Sequence, residues 1–208
     1  MRSRMTRLCS CVLIVLALLP HAASAKTGGA NVFTDVPEDA YYYDAVTWAV
    51  KEQQITNGTG DGQFSPDGVC TRAQALTFLW RMLACPGAAP IDDPFVDVKE
   101  SDYYYEATKW AAGSSIAGGT GDGVFSPDLP CTRAQVLTFL WRTAGKQEPE
   151  SVTNPFTDVP ADSYYAKAVL WAVELGVAKG TTDTTFAPDS PCTRAQVVTF
   201  LYRFICNA

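Results

Sequence analysis

Apolar residues recur at helical spacing in paired segments along this chain. Around Trp48, residues Ala45, Val46, Ala49 and Val50 follow an i, i+3, i+4 pattern. Leu76, Leu79, Trp80 and Leu83 repeat that pattern in a second segment. Between the two, residues 58–67 are rich in Gly, Thr, Asp and Pro, which predicts a structured loop. The unit therefore reads as helix, loop, helix.

The same unit occurs three times. Phe33-Thr34-Asp35-Val36, Phe95-Val96-Asp97-Val98 and Phe156-Thr157-Asp158-Val159 open the copies, each followed by tyrosines and then Trp48, Trp110 or Trp171. Gly58-Thr59, Gly119-Thr120 and Gly180-Thr181 start the loops, and Cys-Thr-Arg-Ala-Gln begins each second helix at Cys70, Cys131 and Cys192. Arg72, Arg133 and Arg194 stand 61 residues apart at both intervals. The first copy carries one extra residue between Trp48 and Ile55. The repeats run over 32–85, 94–145 and 155–206, joined by polar or proline-bearing connectors. A unit of about 52 residues buries little surface alone, so the copies are expected to close into one pseudo-threefold domain.

Composition narrows the function. Residues 1–25 run from Arg2, Arg4 and Arg7 through an apolar stretch to Ala23-Ser24-Ala25, the order of a secretory signal peptide ending before Lys26. The apolar stretch is too short for a finished membrane span. Removing three arginines and no acids takes the net charge from −6 to −9. So acidic a body lacks the basic face that nucleic acid requires. The single histidine, His21, belongs to the leader, which removes histidine-based triads and histidine-ligated metal sites. No enzyme activity, cofactor or metal is expected.

Thr71 at the N-cap with Gln74 three residues on forms a capping box, repeated at Thr132/Gln135 and Thr193/Gln196. Arginine at the next position adds positive charge to the positive end of the helix dipole. Three such placements ask for a compensating anion. The internal candidates are Asp35, Asp97 and Asp158; the external one is an acidic ligand bound beside free helix N–H groups. The residues alone leave both open. Arg81, Arg142 and Arg203, near the helix C-termini, read as structural. Gly-Asp-Gly at 60–62 and 121–123 reads as a tight turn, because the remaining ligands of a calcium loop are missing. Tyr41–Tyr43 and their counterparts read as half-buried packing, with a sugar-stacking platform as the lesser reading. Cys70, Cys131 and Cys192 read as small buried hydrophobes. Cys70 and Cys85 close opposite ends of one helix, beyond disulfide reach.

Taken together, these residues resemble a tandem of three S-layer homology repeats. The shared features are the F-x-D-V start, the aromatic patch, the glycine-started loop, F-x-P, and a T-R-A-Q helix start where the family usually has T-R-A-E. The resemblance implies a mainly α, three-pronged pseudo-trimer around a central helical bundle. It implies non-covalent anchoring to a secondary cell wall polysaccharide attached to peptidoglycan, commonly one bearing ketal pyruvate. It also implies that Arg72, Arg133 and Arg194 line grooves between repeats, with Gly58, Gly119 and Gly180 as backbone contacts. Asp35, Asp97 and Asp158 would orient the arginines or bind sugar hydroxyls. Gln74, Gln135 and Gln196 keep the cap and lose the carboxylate. The competing reading is a secreted structural or adaptor protein that holds a protein partner through the grooves or a free cysteine.

Overall fold

The computed structural model describes residues 33–88, 90–150 and 153–207, so the leader read at 1–25 lies outside the described residues. Each repeat contributes two helices: α1 (Tyr43–Thr47) and α2 (Arg72–Met82), α3 (Tyr105–Gly113) and α4 (Arg133–Thr143), α5 (Ala166–Glu174) and α6 (Arg194–Asn207). The pairing follows the helical periodicity of the sequence. In repeat one the first helix does not stay α-helical. It continues as a π-helical turn over Trp48–Glu52, in which Gln53 N–H donates to Trp48 O at 3.2 Å. That turn absorbs the extra residue between Trp48 and Ile55.

The second helices α2, α4 and α6 pack on one another pairwise and form the centre. Each first helix packs on the second helix of the preceding repeat: α3 on α2, α5 on α4, and α1 back on α6. The last pairing closes the ring and brings Trp48 to 5.5 Å from Tyr202, ring centre to ring centre. The mainly helical, pseudo-threefold architecture expected from the repeats is what forms, and it has no β-strand among the described residues, only isolated bridges. Among those residues no helix is long and apolar enough to cross a membrane.

Three cysteines mark the pseudo-threefold axis. Cys70 N–H donates to Cys192 O, Cys131 N–H to Cys70 O, and Cys192 N–H to Cys131 O, at 2.8–2.9 Å. All three side chains are fully buried and unpaired. Burial pushes the Cys70 and Cys192 thiols up to about 12, and Cys131 also rises, so all three stay protonated. They are small apolar groups, as the sequence suggested.

Phe64, Phe125 and Phe186 fill the space beneath each loop with no exposed surface. Their partners are Phe33, Phe95 and Phe156, at 5.7, 5.2 and 5.4 Å between ring centres. Trp48, Trp110 and Trp171 are core residues as well. Thr77, Thr138 and Thr199, buried inside α2, α4 and α6, donate to the carbonyl one turn back. A hydroxyl in the core therefore costs little.

Candidate functional site at the repeat junctions

The three T-R-A-Q segments start the central helices as the capping rule requires. Thr71 Oγ1 accepts from Gln74 N–H at 3.3 Å, and Gln74 Oε1 accepts from Thr71 N–H at 3.3 Å. The Thr132/Gln135 and Thr193/Gln196 pairs do the same at 3.1–3.2 Å. Other amides of these first turns turn to the next repeat. Arg72 and Ala73 N–H donate to Leu129 O and Pro127 O, Arg133 and Ala134 to Ser190 O and Pro188 O, and Arg194 and Ala195 to Gly68 O and Pro66 O. The first-turn amides are therefore bonded within the protein. They stitch consecutive repeats together.

The arginine side chains follow the same route. Arg72 Nε donates to Phe125 O at 3.0 Å and Nη2 to Gly118 O at 3.0 Å. Arg133 Nε donates to Phe186 O at 3.1 Å and Nη2 to Lys179 O at 2.8 Å. Arg194 Nε donates to Phe64 O at 2.9 Å, across the ring closure. Each guanidinium also lies over the ring whose carbonyl it binds, 4.7, 4.5 and 4.9 Å from the centres of Phe125, Phe186 and Phe64. The sequence left an internal carboxylate or an external anion as the compensating group. Among the described residues none of the three arginines has a carboxylate at ion-pair distance; carbonyl dipoles and an aromatic face lie against each.

Exposure is 4%, 8% and 4% for Arg72, Arg133 and Arg194, so the stems are sealed. Burial pulls each guanidinium pKa down, opposed at Arg72 by the charge of Asp97, with Tyr164 in interaction range. Asp158 opposes it at Arg133, with Tyr41 in range, and Asp35 at Arg194, with Tyr103 in range. Every junction is thus assembled from all three repeats: the arginine from one, the Phe loop and aspartate from the next, a tyrosine from the third. Arg72 and Arg133 each use two of five N–H donors on the carbonyls named above.

Tyr42, Tyr43, Tyr104, Tyr105 and Tyr165 pack half-buried against the core as expected, whereas the first tyrosine of each cluster departs from that packing. Tyr41, Tyr103 and Tyr164 are 63%, 58% and 59% exposed, each edge-on to its neighbour Tyr42, Tyr104 or Tyr165 at about 5 Å. Ring surface of that extent beside a cation is available for stacking. No such role could be fixed from the sequence, because a tyrosine doublet looks the same buried or exposed.

Asp35, Asp97 and Asp158 sit beneath the loops. Asp35 accepts from Phe64 N–H at 2.8 Å and Ser65 N–H at 2.7 Å. Asp97 holds Phe125 and Ser126, and Asp158 holds Phe186 and Ala187, all at 2.7–2.8 Å. Ser65, Ser126 and Ala187 have φ of 57–58°, a left-handed conformation that non-glycine residues adopt at a cost. The paired N–H bonds hold the loop there. Burial alone raises the Asp158 carboxyl, but the N–H groups of Phe186, Ala187 and Asp158 itself, with the charge of Arg133, outweigh it and keep its pKa below the ordinary value.

The loop glycines have a steric reason. A Cβ on Gly119 would lie 2.5 Å from Val124 O and 3.3 Å from Phe95 Cε1, and one on Gly58 or Gly180 would lie closer still to the ring, 2.5 Å from Phe33 Cε1 or 2.6 Å from Phe156 Cε1. Gly60-Asp61-Gly62 forms a tight turn, with Gln63 N–H donating to Gly60 O at 2.9 Å and Asp61 at φ 50°. Arg81 and Arg142 bind Ile55 O and Ile116 O of their own repeats at 3.0 Å, a structural role. Among the described residues no three His, Cys, Asp or Glu side chains converge as a metal site. Cys85 and Cys206 are exposed free thiols.

The S-layer homology domain model matches the chain at residues 32–76, 94–137 and 155–198. The chain is 34% identical over 138 residues to a "Cell surface protein" of Thermoanaerobacter kivui, covering 64% of this chain and 18% of that protein. It is 26% identical over 185 residues to an "S-layer protein" of Bacillus thuringiensis subsp. finitimus, covering 88% of this chain and 22% of that one. A "Cellulosome-anchoring protein" of Acetivibrio thermocellus is 29% identical over 154 residues, covering 70% and 34%. The chain therefore spans from under a fifth to about a third of the length of these relatives.

Proposed function

Because the chain belongs to the S-layer homology domain family, we propose that it is a non-catalytic cell-surface anchor. Its ligand is an acidic secondary cell wall polysaccharide bearing pyruvate ketals and attached to peptidoglycan. The protein reaches it by secretion. The observation that supports this reading is the threefold repetition of one composite junction: a buried cation, an exposed tyrosine ring, and a glycine-started loop pinned by an aspartate. Arg72, Arg133 and Arg194 supply the positive field, and Tyr164, Tyr41 and Tyr103 supply faces for sugar rings. Gly58, Gly119 and Gly180 bring loop backbone close to the ligand. Asp35, Asp97 and Asp158 act by holding the loop in shape. Three weak sites on one rigid body gain avidity on a repetitive polymer without a tight single contact.

The test uses the exposed rings, which carry little of the fold. A Tyr41→Ala/Tyr103→Ala/Tyr164→Ala variant should lose most of its co-sedimentation with cell wall sacculi while keeping its melting temperature within a few degrees. Unchanged retention would remove the junctions from the binding surface. A second reading, a disulfide-linked protein partner, rests on the exposed thiols of Cys85 and Cys206. It predicts a complex on non-reducing gels that Cys85→Ser or Cys206→Ser abolishes.

A further inference from the structure

Repeat one carries a reactive dipeptide that the other repeats lack. Asn57-Gly58 stands where they have Gly118-Gly119 and Lys179-Gly180. Of the asparagines Asn31, Asn57, Asn154 and Asn207, only Asn57 precedes a glycine. Glycine has no side chain to hold its main-chain nitrogen away from the preceding residue's amide carbon. The Gly58 nitrogen can therefore reach Cγ of Asn57 and close a five-membered ring, the chemistry that makes asparagine thermolabile. Asn57 is exposed, so solvent water has access to that ring.

The fold restrains that nitrogen in two ways. Gly58 N–H donates to Thr56 Oγ1 at 3.2 Å, a local side-chain bond two residues back. Thr56 is 3% exposed, so its hydroxyl is held in place by the core. Gly58 is also wedged. It has φ 84°, and a Cβ on it would lie 2.3 Å from Gln63 O and 2.5 Å from Phe33 Cε1. The next amide, Thr59 N–H, is tied to Gln63 O at 2.8 Å. Ring closure requires the Gly58 nitrogen to lose its proton and turn toward Asn57 Cγ, which breaks the bond to Thr56. The repeats supply their own comparison. Ala117 and Ala178 stand in the place of Thr56, so the hydroxyl is present only in the repeat that has a side-chain amide to guard.

We propose that Asn57 is a site of spontaneous deamidation and that Thr56 sets its rate in the folded protein. The Gly58 nitrogen, its proton taken by hydroxide, bonds to Asn57 Cγ. The Cγ–Nδ2 bond breaks, and Nδ2 takes a proton from water and leaves as ammonia. Water then opens the succinimide at either carbonyl to give aspartate or isoaspartate, with no change of oxidation state. Both products add one negative charge. Isoaspartate also lengthens the main chain by one methylene next to the wedged Gly58, which displaces the loop that Asp35 pins. This chemistry is independent of what the repeat junctions bind.

The test follows the mass gain from amide to acid, localised to Asn57 by tandem mass spectrometry, while the folded protein is incubated at mildly alkaline pH. Thr56→Ala installs the residue that is buried at this position in the other two repeats, so the fold tolerates it. It should speed conversion about fivefold, the factor set by one hydrogen bond of ordinary net worth. Thr56→Ser keeps the hydroxyl and should convert as slowly as the unaltered chain. In denaturant all three chains should convert at one common, faster rate, and Asn57→Gln should silence the position. A folded Thr56→Ala protein that converts no faster than the unaltered one, or a Thr56→Ser protein as fast as Thr56→Ala, would overturn the role of Thr56. No conversion at Asn57 even in denaturant would overturn the site itself.

Discussion

Asp35 and Arg194 grip one residue from its two polar ends. The carboxylate of Asp35 accepts the N–H of Phe64, and the guanidinium of Arg194 donates to the Phe64 carbonyl while lying over its ring. The same relay links Asp97 to Arg72 through Phe125, and Asp158 to Arg133 through Phe186. The F-x-D-V aspartate thus acts on the arginine of a neighbouring repeat without touching it. The aspartate fixes the loop, and the loop's carbonyl fixes the guanidinium.

Removing one end of the relay should loosen the other. Asp97→Ala leaves the N–H groups of Phe125 and Ser126 without their acceptor, which costs about 1–3 kcal/mol of stability. Chemical denaturation should show that loss, and sacculus binding should weaken in the same variant. A change within about 0.5 kcal/mol would mean that the loop holds its shape without the carboxylate.

The Asp158 carboxyl carries a pH dependence whose sign is fixed. Its pKa in the folded state is held below the ordinary 3.8, so its contribution is present above that value and is lost as pH falls through the folded pKa. Asp158→Asn should therefore lower the melting temperature near neutral pH. Wild type and variant should converge below pH 3.8. A difference that stayed constant to low pH would show that the charge is irrelevant.

How much of this was legible in the chain depends on whether the partner was local. Thr71 and Gln74 bind each other across one helical turn, so their pairing could be read directly from spacing. The central helices follow from Leu76, Leu79, Trp80 and Leu83 at helical spacing. Arg72 could be singled out because its charge sits at the wrong end of a dipole. Its partners are carbonyls of Phe125 and Gly118, and a carbonyl is present at every residue, so no sequence signal marks the chosen ones. The packing of α1 on α6 is equally silent, since a ring closed in either hand would bury the same faces. The extra residue before Ile55 was visible as a length difference, but its expression as a π-turn was not.

Steric crowding separates two glycines of neighbouring loops. A Cβ on Gly180 would fall 2.6 Å from Phe156 Cε1 and 2.8 Å from Thr185 O, and would also strike Thr182 O. Gly180→Ala should destabilise the protein by about 1–3 kcal/mol. Gly121 has nothing within 4 Å of its Cβ position, so Gly121→Ala should change stability by less than about 0.5 kcal/mol. Equal thermal shifts for the two variants would refute the packing argument.

The cysteine ring predicts sharply divided thiol reactivity. Cys85 and Cys206 are exposed, whereas Cys70, Cys131 and Cys192 are buried with thiols held protonated. Alkylation of the folded protein, mapped by mass spectrometry, should mark the first pair within minutes. The other three should react only when denaturant opens the core. Native labelling of Cys131 would show that the centre opens on its own.

The most direct measurement is co-sedimentation of the protein with sacculi before and after acid removal of the attached polysaccharide. The account predicts retention on intact sacculi and its loss after stripping, with added free polymer competing for the protein. Equal retention on both preparations, or none on either, would contradict a polysaccharide anchor.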